Sequence, residues 1–181
     1  MKNLNKDILT KQLIIRSFSP NAISSLSMGN LKHAEITEGI QLNPHLLEHT
    51  TAFAHDLSRI KTDAAFQNWS TRAVLLRSTG EMIGIFRFHT LPDPEYLRNH
   101  GPSLVEIGYA IFPTYRRKGF AEEMIKEMIT WAKHYGVLGI VTSIAPNNIP
   151  SANLVSKMGF VKIHEEVDEV DGIEHIYLLN T

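Results

Sequence analysis

The chain has 181 residues, 43% hydrophobic and 20% charged, with a net charge of -1 at pH 7 and no cysteine. That length supports one domain, residues 1–181, with a full hydrophobic core, and is too short for two ordinary ones. The near-neutral balance gives no whole-molecule attraction to nucleic acid or to an anionic membrane, and the lack of cysteine excludes disulfides, cysteine-ligated metal and a cysteine acyl-enzyme.

Met1 to Gln12 is polar apart from Leu4 and Ile8-Leu9, and no apolar run approaches a membrane span, so the cytoplasm is the expected setting. Leu13 to Phe18 reads as a first strand, stopped by Ser19-Pro20-Asn21. From Ala22 to Trp69 the pattern is helical but broken by Gly29-Asn30, Gly39 and Asn43-Pro44. Short helices near 22–28 and a longer one from Pro44 or His45 to Ile60 are predicted, the latter with Asn43 as its cap. Thr71 to Arg77 and Met82 to His89 form a hairpin around Ser78-Thr79-Gly80-Glu81, and the proline- and glycine-containing segment 90–102 is loop.

Leu104 to Ile111 is rich in branched and aromatic residues and reads as a strand. The period then changes: Ala121, Met124, Ile125, Met128, Ile129 and Ala132 make one apolar stripe of a helix that ends before Gly136. Gly139 to Ala145 is apolar on both faces apart from two small hydroxyls, as in a buried strand. Ile149 to Met158 is a short helix, and Phe160 to Val167 pairs with Ile173 to Leu179 through an Asp171-Gly172 turn. Hairpins outside and one strand-helix-strand unit in the middle favour an α+β fold with a mixed sheet.

The turn Arg116-Arg117-Lys118-Gly119-Phe120-Ala121 joins strand to helix, aiming free N–H groups, a helix dipole and three cations at one point, where a phosphate would sit. It matches neither the dinucleotide glycine fingerprint nor a P-loop. By itself the pattern fits an ordinary turn as well. In the preceding strand Leu104, Glu106, Gly108 and Ala110 share one face, which puts a carboxylate beside two positions with almost no side chain. Glu106 is either a base or a surface carboxylate on an edge strand.

The order of strand, Arg116-x-x-Gly119-x-Ala121, amphipathic helix, buried strand, Asn148-Ile149-Pro150-Ser151 and Lys157-Met158-Gly159-Phe160 resembles the GCN5-related N-acetyltransferase family. With Leu13-Ile14-Ile15-Arg16 and Glu106-Ile107-Gly108-Tyr109, it looks like the RimJ/RimL-like branch of ribosomal-protein N-terminal acetyltransferases. The resemblance implies a mostly antiparallel central sheet flanked by helices, with a strand-loop-helix acyl-CoA site. It implies acetyl-CoA as cofactor, CoA as product, and direct transfer to an amine acceptor, a protein N-terminus or a small molecule, by a monomer or homodimer. Arg116 and the N–H groups of Arg117, Lys118, Gly119, Phe120 and Ala121 would hold the pyrophosphate. Ala110, Ile111 and Phe112 would lie along the pantetheine, with Asn148 and Ser151 at the thiol end.

Glu106 would be the base. A lysine-type amine near pKa 10.4 costs about 4.6 kcal/mol to deprotonate at neutral pH, and an α-amine near 8 about 1.4 kcal/mol. Where many members carry a tyrosine as general acid this chain has Val155, leaving Ser151 or water for that role. That departure leaves a second reading open, a non-catalytic acyl-CoA-binding module. A third is a zinc hydrolase, because His45-Leu46-Leu47-Glu48-His49 matches H-x-x-E-H, although no third ligand is evident and no metal is expected. The acidic run Glu165, Glu166, Asp168, Glu169, Asp171 and Glu174 is a solvated hairpin face or an attractor for a cationic amine, and Trp69 and Trp131 are expected to pack.

Overall fold

The computed structural model describes residues 7–168 and 172–181. Its strands are β1 (Ile8–Leu9), β2 (Leu13–Ser17), β3 (Arg72–Leu76), β4 (Met82–Phe88), β5 (Leu104–Ile111), β6 (Gly139–Ile144), β7 (Val161–Asp168) and β8 (Gly172–Asn180). The α-helices are α1 (Pro20–Ser27), α2 (Leu31–Glu38), α3 (Thr50–Thr62), α4 (Phe120–Lys133) and α5 (Ile149–Lys157). The strands form one mixed, mostly antiparallel sheet in the order β1-β2-β3-β4-β5-β6-β8-β7, with β5 and β6 parallel. This is the expected α+β class. An internal place for β5 removes the edge-strand reading of Glu106.

The chain forms two compact units, Met1–Arg87 with Tyr109–Met124, and Phe88–Gly108 with Ile125–Thr181. In the first, α1, α2 and α3 bury Ile23, Leu26, Ala34 and Phe53 against Ala73, Leu75 and Ile85 of the sheet. Asn30 caps α2 and Gly39, at φ 66°, ends it. The helix predicted from Pro44 to Ile60 is two elements: Asn43 does cap its start, but a 3-10 helix spans Pro44–His49 and α3 begins only at Thr50. His49, at φ -114° and ψ 19°, is out of helical geometry and separates them. The pair Ile8–Leu9 is a short strand that the polar N-terminal segment did not announce.

Glu123, in the first turn of α4, takes hydrogen bonds from the Thr10 hydroxyl (2.5 Å), the Gln12 N–H (2.6 Å) and the Gln12 side-chain amide (2.8 Å). It therefore anchors the start of α4 to the turn between β1 and β2, rather than pointing freely from the helix's polar face. Burial alone would raise its pKa, but these bonds and Lys11 hold it below the ordinary carboxylate value. A depressed folded pKa contributes stability above the unfolded value of about 4.3, lost as pH falls through the folded value. Glu123→Gln is expected to cost about 1 kcal/mol at pH 7 and to flatten the decline of Tm below about pH 4. Parallel wild-type and variant melting curves from pH 3 to 7 would show that the anchor carries no stability.

In the second unit Leu104, Val141 and Ile176 form a small core with Leu97, which comes from a 3-10 helix (Glu95–His100) inside the segment predicted as plain loop. Trp131 stacks on Phe88 and packs beside Tyr135, in keeping with a packing role. Helix α4 ends as expected, with Gly136 at φ 82° and the Val137 N–H bonded to the Ala132 carbonyl. Strands β7 and β8 pair as predicted. Glu169 and the Asp171 half of the predicted turn lie outside the described residues.

Candidate active site

In the first unit the chain leaves β5 through a short 3-10 turn (Pro113–Tyr115), and the exposed loop follows. Arg117 sits at φ 65° and Gly119 at φ 82°. Left-handed backbone on either side of Lys118 turns the chain sharply just before α4 begins at Phe120, the kind of alternation from which anion-binding nests are built. A Cβ on Gly119 would meet nothing within 4 Å, so the glycine answers to its backbone angle and not to crowding. Phe120 is buried, leaving only its backbone for a ligand. Ala121, half-buried, keeps the first helical turn slim.

The three cations of the loop differ. Arg116 turns back, its Nε donating to the Ile111 carbonyl at 2.8 Å. Lys118 lies over the Tyr115 ring, 5.6 Å from Nζ to the centroid, and the Tyr115 hydroxyl donates to the Glu81 carboxylate. At the end of β5 the Phe112 N–H is committed to the Ile83 carbonyl (2.8 Å) and its ring, 3% exposed, stacks on His45. Phe112 is thus a core residue whose amide is taken. Strand alternation then directs the backbones of Tyr109 and Ile111 away from β4. Gly84 of β4 makes this approach possible: a Cβ there would lie 2.3 Å from the Ala110 carbonyl oxygen.

In the second unit the parallel register of β5 with β6 runs from Leu104 to Glu106 and stops. Glu106 stands at that point, 8% exposed. Its Oε1 accepts from the Ser143 hydroxyl at 2.6 Å and its Oε2 from the Tyr96 hydroxyl at 2.7 Å, with His89 Nδ1 3.5 Å from Oε2. Burial by itself raises the Glu106 pKa, but His89, Ser143 and Tyr96 together outweigh it and hold the carboxyl below its ordinary value. The group is ionised at neutral pH, buried and oriented from two sides.

Asn148 caps α5, its Oδ1 accepting from the Ser151 N–H at 3.4 Å, a long bond. Ser151 is half-buried, but the serine that reaches Glu106 is Ser143. Val155 is fully buried in α5, so the position of the expected tyrosine faces a packed interior. His45 Nδ1 is bonded to Glu48 at 2.7 Å, and the described residues contain no group of three or more His, Cys, Asp or Glu able to hold a metal, so the zinc reading finds no ligand set. No helix of the described residues is long and apolar enough to cross a membrane.

Residues 110–112 and 116–121 therefore lie in the first unit, and Glu106, Asn148 and Ser151 in the second. Sequence reasoning missed Tyr96, His89 and Ser143. Only Ser143 left a trace, as one of two hydroxyls in an otherwise apolar strand; the other two are joined to Glu106 by sheet register and by the 3-10 helix.

Residues 12–161 match the acetyltransferase (GNAT) domain family model. An uncharacterised N-acetyltransferase of Bacillus subtilis, YoaA, is 31% identical over 123 residues, an alignment covering 64% of this chain and 64% of that relative. Among solved structures, a GNAT-family acetyltransferase from Bacillus anthracis superposes with a TM-score of 0.62 at 17% identity, covering 97% of this chain and 98% of the other. RimL, a ribosomal alpha-N-protein acetyltransferase in complex with coenzyme A, gives 0.64 at 13% identity, covering 97% and 98%. With the strand-loop-helix unit in place and the family model spanning most of its length, the chain belongs to the GNAT acetyltransferase family.

Proposed function

We propose that the protein is an acetyl-CoA-dependent N-acetyltransferase acting in the cytoplasm on a primary amine, with residues 1–181 as its catalytic domain. The observation that carries this reading, beyond family membership, is the buried, ionised Glu106 held by Tyr96 and Ser143. A general base needs a fixed orientation, and a buried carboxylate held on both oxygens has one. The nest at Arg117–Gly119 suits the cofactor's pyrophosphate, with Arg116, Lys118 and the backbones of Phe120 and Ala121 beside it. The backbones of Ala110, Ile111 and Phe112 would border the pantetheine, with Ile111 the residue whose N–H faces away from β4. Asn148 and Ser151 would flank the thiol end.

When bound, acetyl-CoA supplies an activated acyl group. The protein's part is to orient the amine and remove its proton. Because Glu106 is held below the ordinary carboxylate pKa, it is a weak base, and the acceptor's own acidity then matters. Deprotonating an α-amine is easier than a lysine-type amine by about 3 kcal/mol. This favours a protein or peptide N-terminus, the acceptor class of RimL as an alpha-N-protein acetyltransferase, over an ε-amine.

The test is a thermal shift with acetyl-CoA followed by thiol release over an amine panel containing peptide N-termini and lysine side chains. Cofactor at about 100 times its Kd should stabilise by about 2.7 kcal/mol, and peptides with free N-termini should turn over faster than the same peptides N-terminally blocked with a free lysine. Absence of any shift at millimolar acetyl-CoA would rule the function out. Binding without thiol release from any amine would instead favour a non-catalytic acyl-CoA-binding module.

A further inference from the structure

A cleft of about 550 Å³ opens in the first unit beside the start of α4, a volume in the range of small-molecule sites. Lys11 and Gln12 from the turn between β1 and β2, Leu76, Arg77 and Ser78 from the end of β3, and Phe120 line it. Phe120, the first residue of α4, follows directly on Gly119, so the cleft begins where the loop of Arg117 and Gly119 ends. Lys11, Arg77 and Ser78 are exposed and put two positive charges and a hydroxyl there, and no acidic residue is in the lining.

We propose that this cleft receives the 3′-phosphate on the adenosine of acetyl-CoA, held by Lys11 and Arg77, an inference that rests on the acetyltransferase reading. The protein then selects the 3′-phosphorylated cofactor over its dephospho form. A phosphate monoester carries a charge of about −1.5 to −2 at pH 7, separate from that of the pyrophosphate. The loop's own cations do not all meet it. Arg116 is turned back to the Ile111 carbonyl, and Lys118 lies over the Tyr115 ring.

The two turns that carry the cleft's cations are tied to each other. Arg77 Nη1 donates to the Thr10 carbonyl at 2.6 Å, and the Arg77 backbone N–H donates to the Gln12 carbonyl at 2.9 Å. That first bond uses one N–H of the guanidinium and fixes its plane, leaving the rest of the fork to meet phosphate oxygens, with Lys11 as a point charge beside it. Glu123 is the carboxylate that could oppose an anion here, since it is bonded to Gln12 and close enough to Lys11 to feel its charge. Its oxygens are already taken by the Thr10 hydroxyl, the Gln12 N–H and the Gln12 side-chain amide, which offset its charge.

Calorimetric titration with acetyl-CoA and with 3′-dephospho-acetyl-CoA tests the cleft without turnover. Wild type should bind the dephospho form about tenfold more weakly, and the gap should narrow as salt is raised, because both cations are exposed. In the double variant Lys11→Gln/Arg77→Gln the two forms should bind within about twofold of each other, while the dephospho form keeps its wild-type affinity and so reports an intact fold. Lys11→Gln alone, which leaves the Arg77–Thr10 bond in place, should reduce the discrimination by about threefold and serves if the double variant is unstable. Equal affinities in wild type overturn the assignment, as does full discrimination retained in Lys11→Gln and in the double variant. A wild type that binds neither form at millimolar concentration overturns the acetyltransferase reading itself.

Discussion

Glu106→Gln should abolish most turnover, lowering kcat by about 10²- to 10⁴-fold, while the thermal shift with acetyl-CoA stays within about a degree of wild type. The range is what a positioned general base contributes. Glutamine is nearly isosteric and keeps an oxygen for the Ser143 hydroxyl, but its amide cannot accept a proton at neutral pH. One of the two existing bonds is lost, because the Tyr96 hydroxyl would face an NH2 group unless it turns around. A stability cost of about 1 kcal/mol is expected from that mismatch. Separating the two readouts matters, because the nest at Arg117–Gly119 belongs to the first compact unit and Glu106 to the second. If the variant binds cofactor and still turns over at more than a tenth of the wild-type rate, the amine's proton leaves by another route, directly to bulk water.

How much of this site the chain announces depends on how local each part is. The strand, loop and helix from Leu104 to Lys133 are legible because their causes are adjacent in sequence: branched residues for the strand, one glycine at a left-handed position, then a 3.6-residue apolar period. Arg117 at φ 65° is not legible, since an arginine gives no sign of adopting a glycine-like angle. Glu106 is found from the small residues on its face, but not its environment. Ser143 and Tyr96 are 37 and 10 residues away, and a one-residue change of register would send Ser143 to the other face. The predicted helix starts too early, at Pro44 instead of Thr50, for a related reason. Its apolar spacing continues through His49, and only the backbone geometry of His49 shows the break.

Gly84 shows the same limit from the steric side, and its substitution should have the second large effect. In sequence it is one glycine inside a strand, a sign of close backbone approach without an indication of what approaches. In the structure an added Cβ would sit 2.3 Å from the Ala110 carbonyl oxygen, 3.2 Å from the Ile111 Cα and 3.0 Å from the end of the Ile111 side chain. Two of these are backbone atoms of β5 and cannot rotate out of the way. Gly84→Ala must therefore push β4 from β5 near the Phe112–Ile83 hydrogen bond, and overpacking of this kind costs about 3 kcal/mol. For a chain of this size each kcal/mol lowers Tm by about 2 to 4 °C, so a drop of roughly 6 to 12 °C is expected. The displaced residues include Ala110 and Ile111, proposed to run along the pantetheine. At a temperature where the variant is fully folded, its acetyl-CoA affinity should still be reduced by about tenfold, whereas Glu123→Gln, which also loosens the first unit but not β5, should bind normally once folded. A Gly84→Ala protein with wild-type Tm and affinity would mean that β5 gives way without cost, and would remove the backbone of residues 110–111 from the proposed cofactor site.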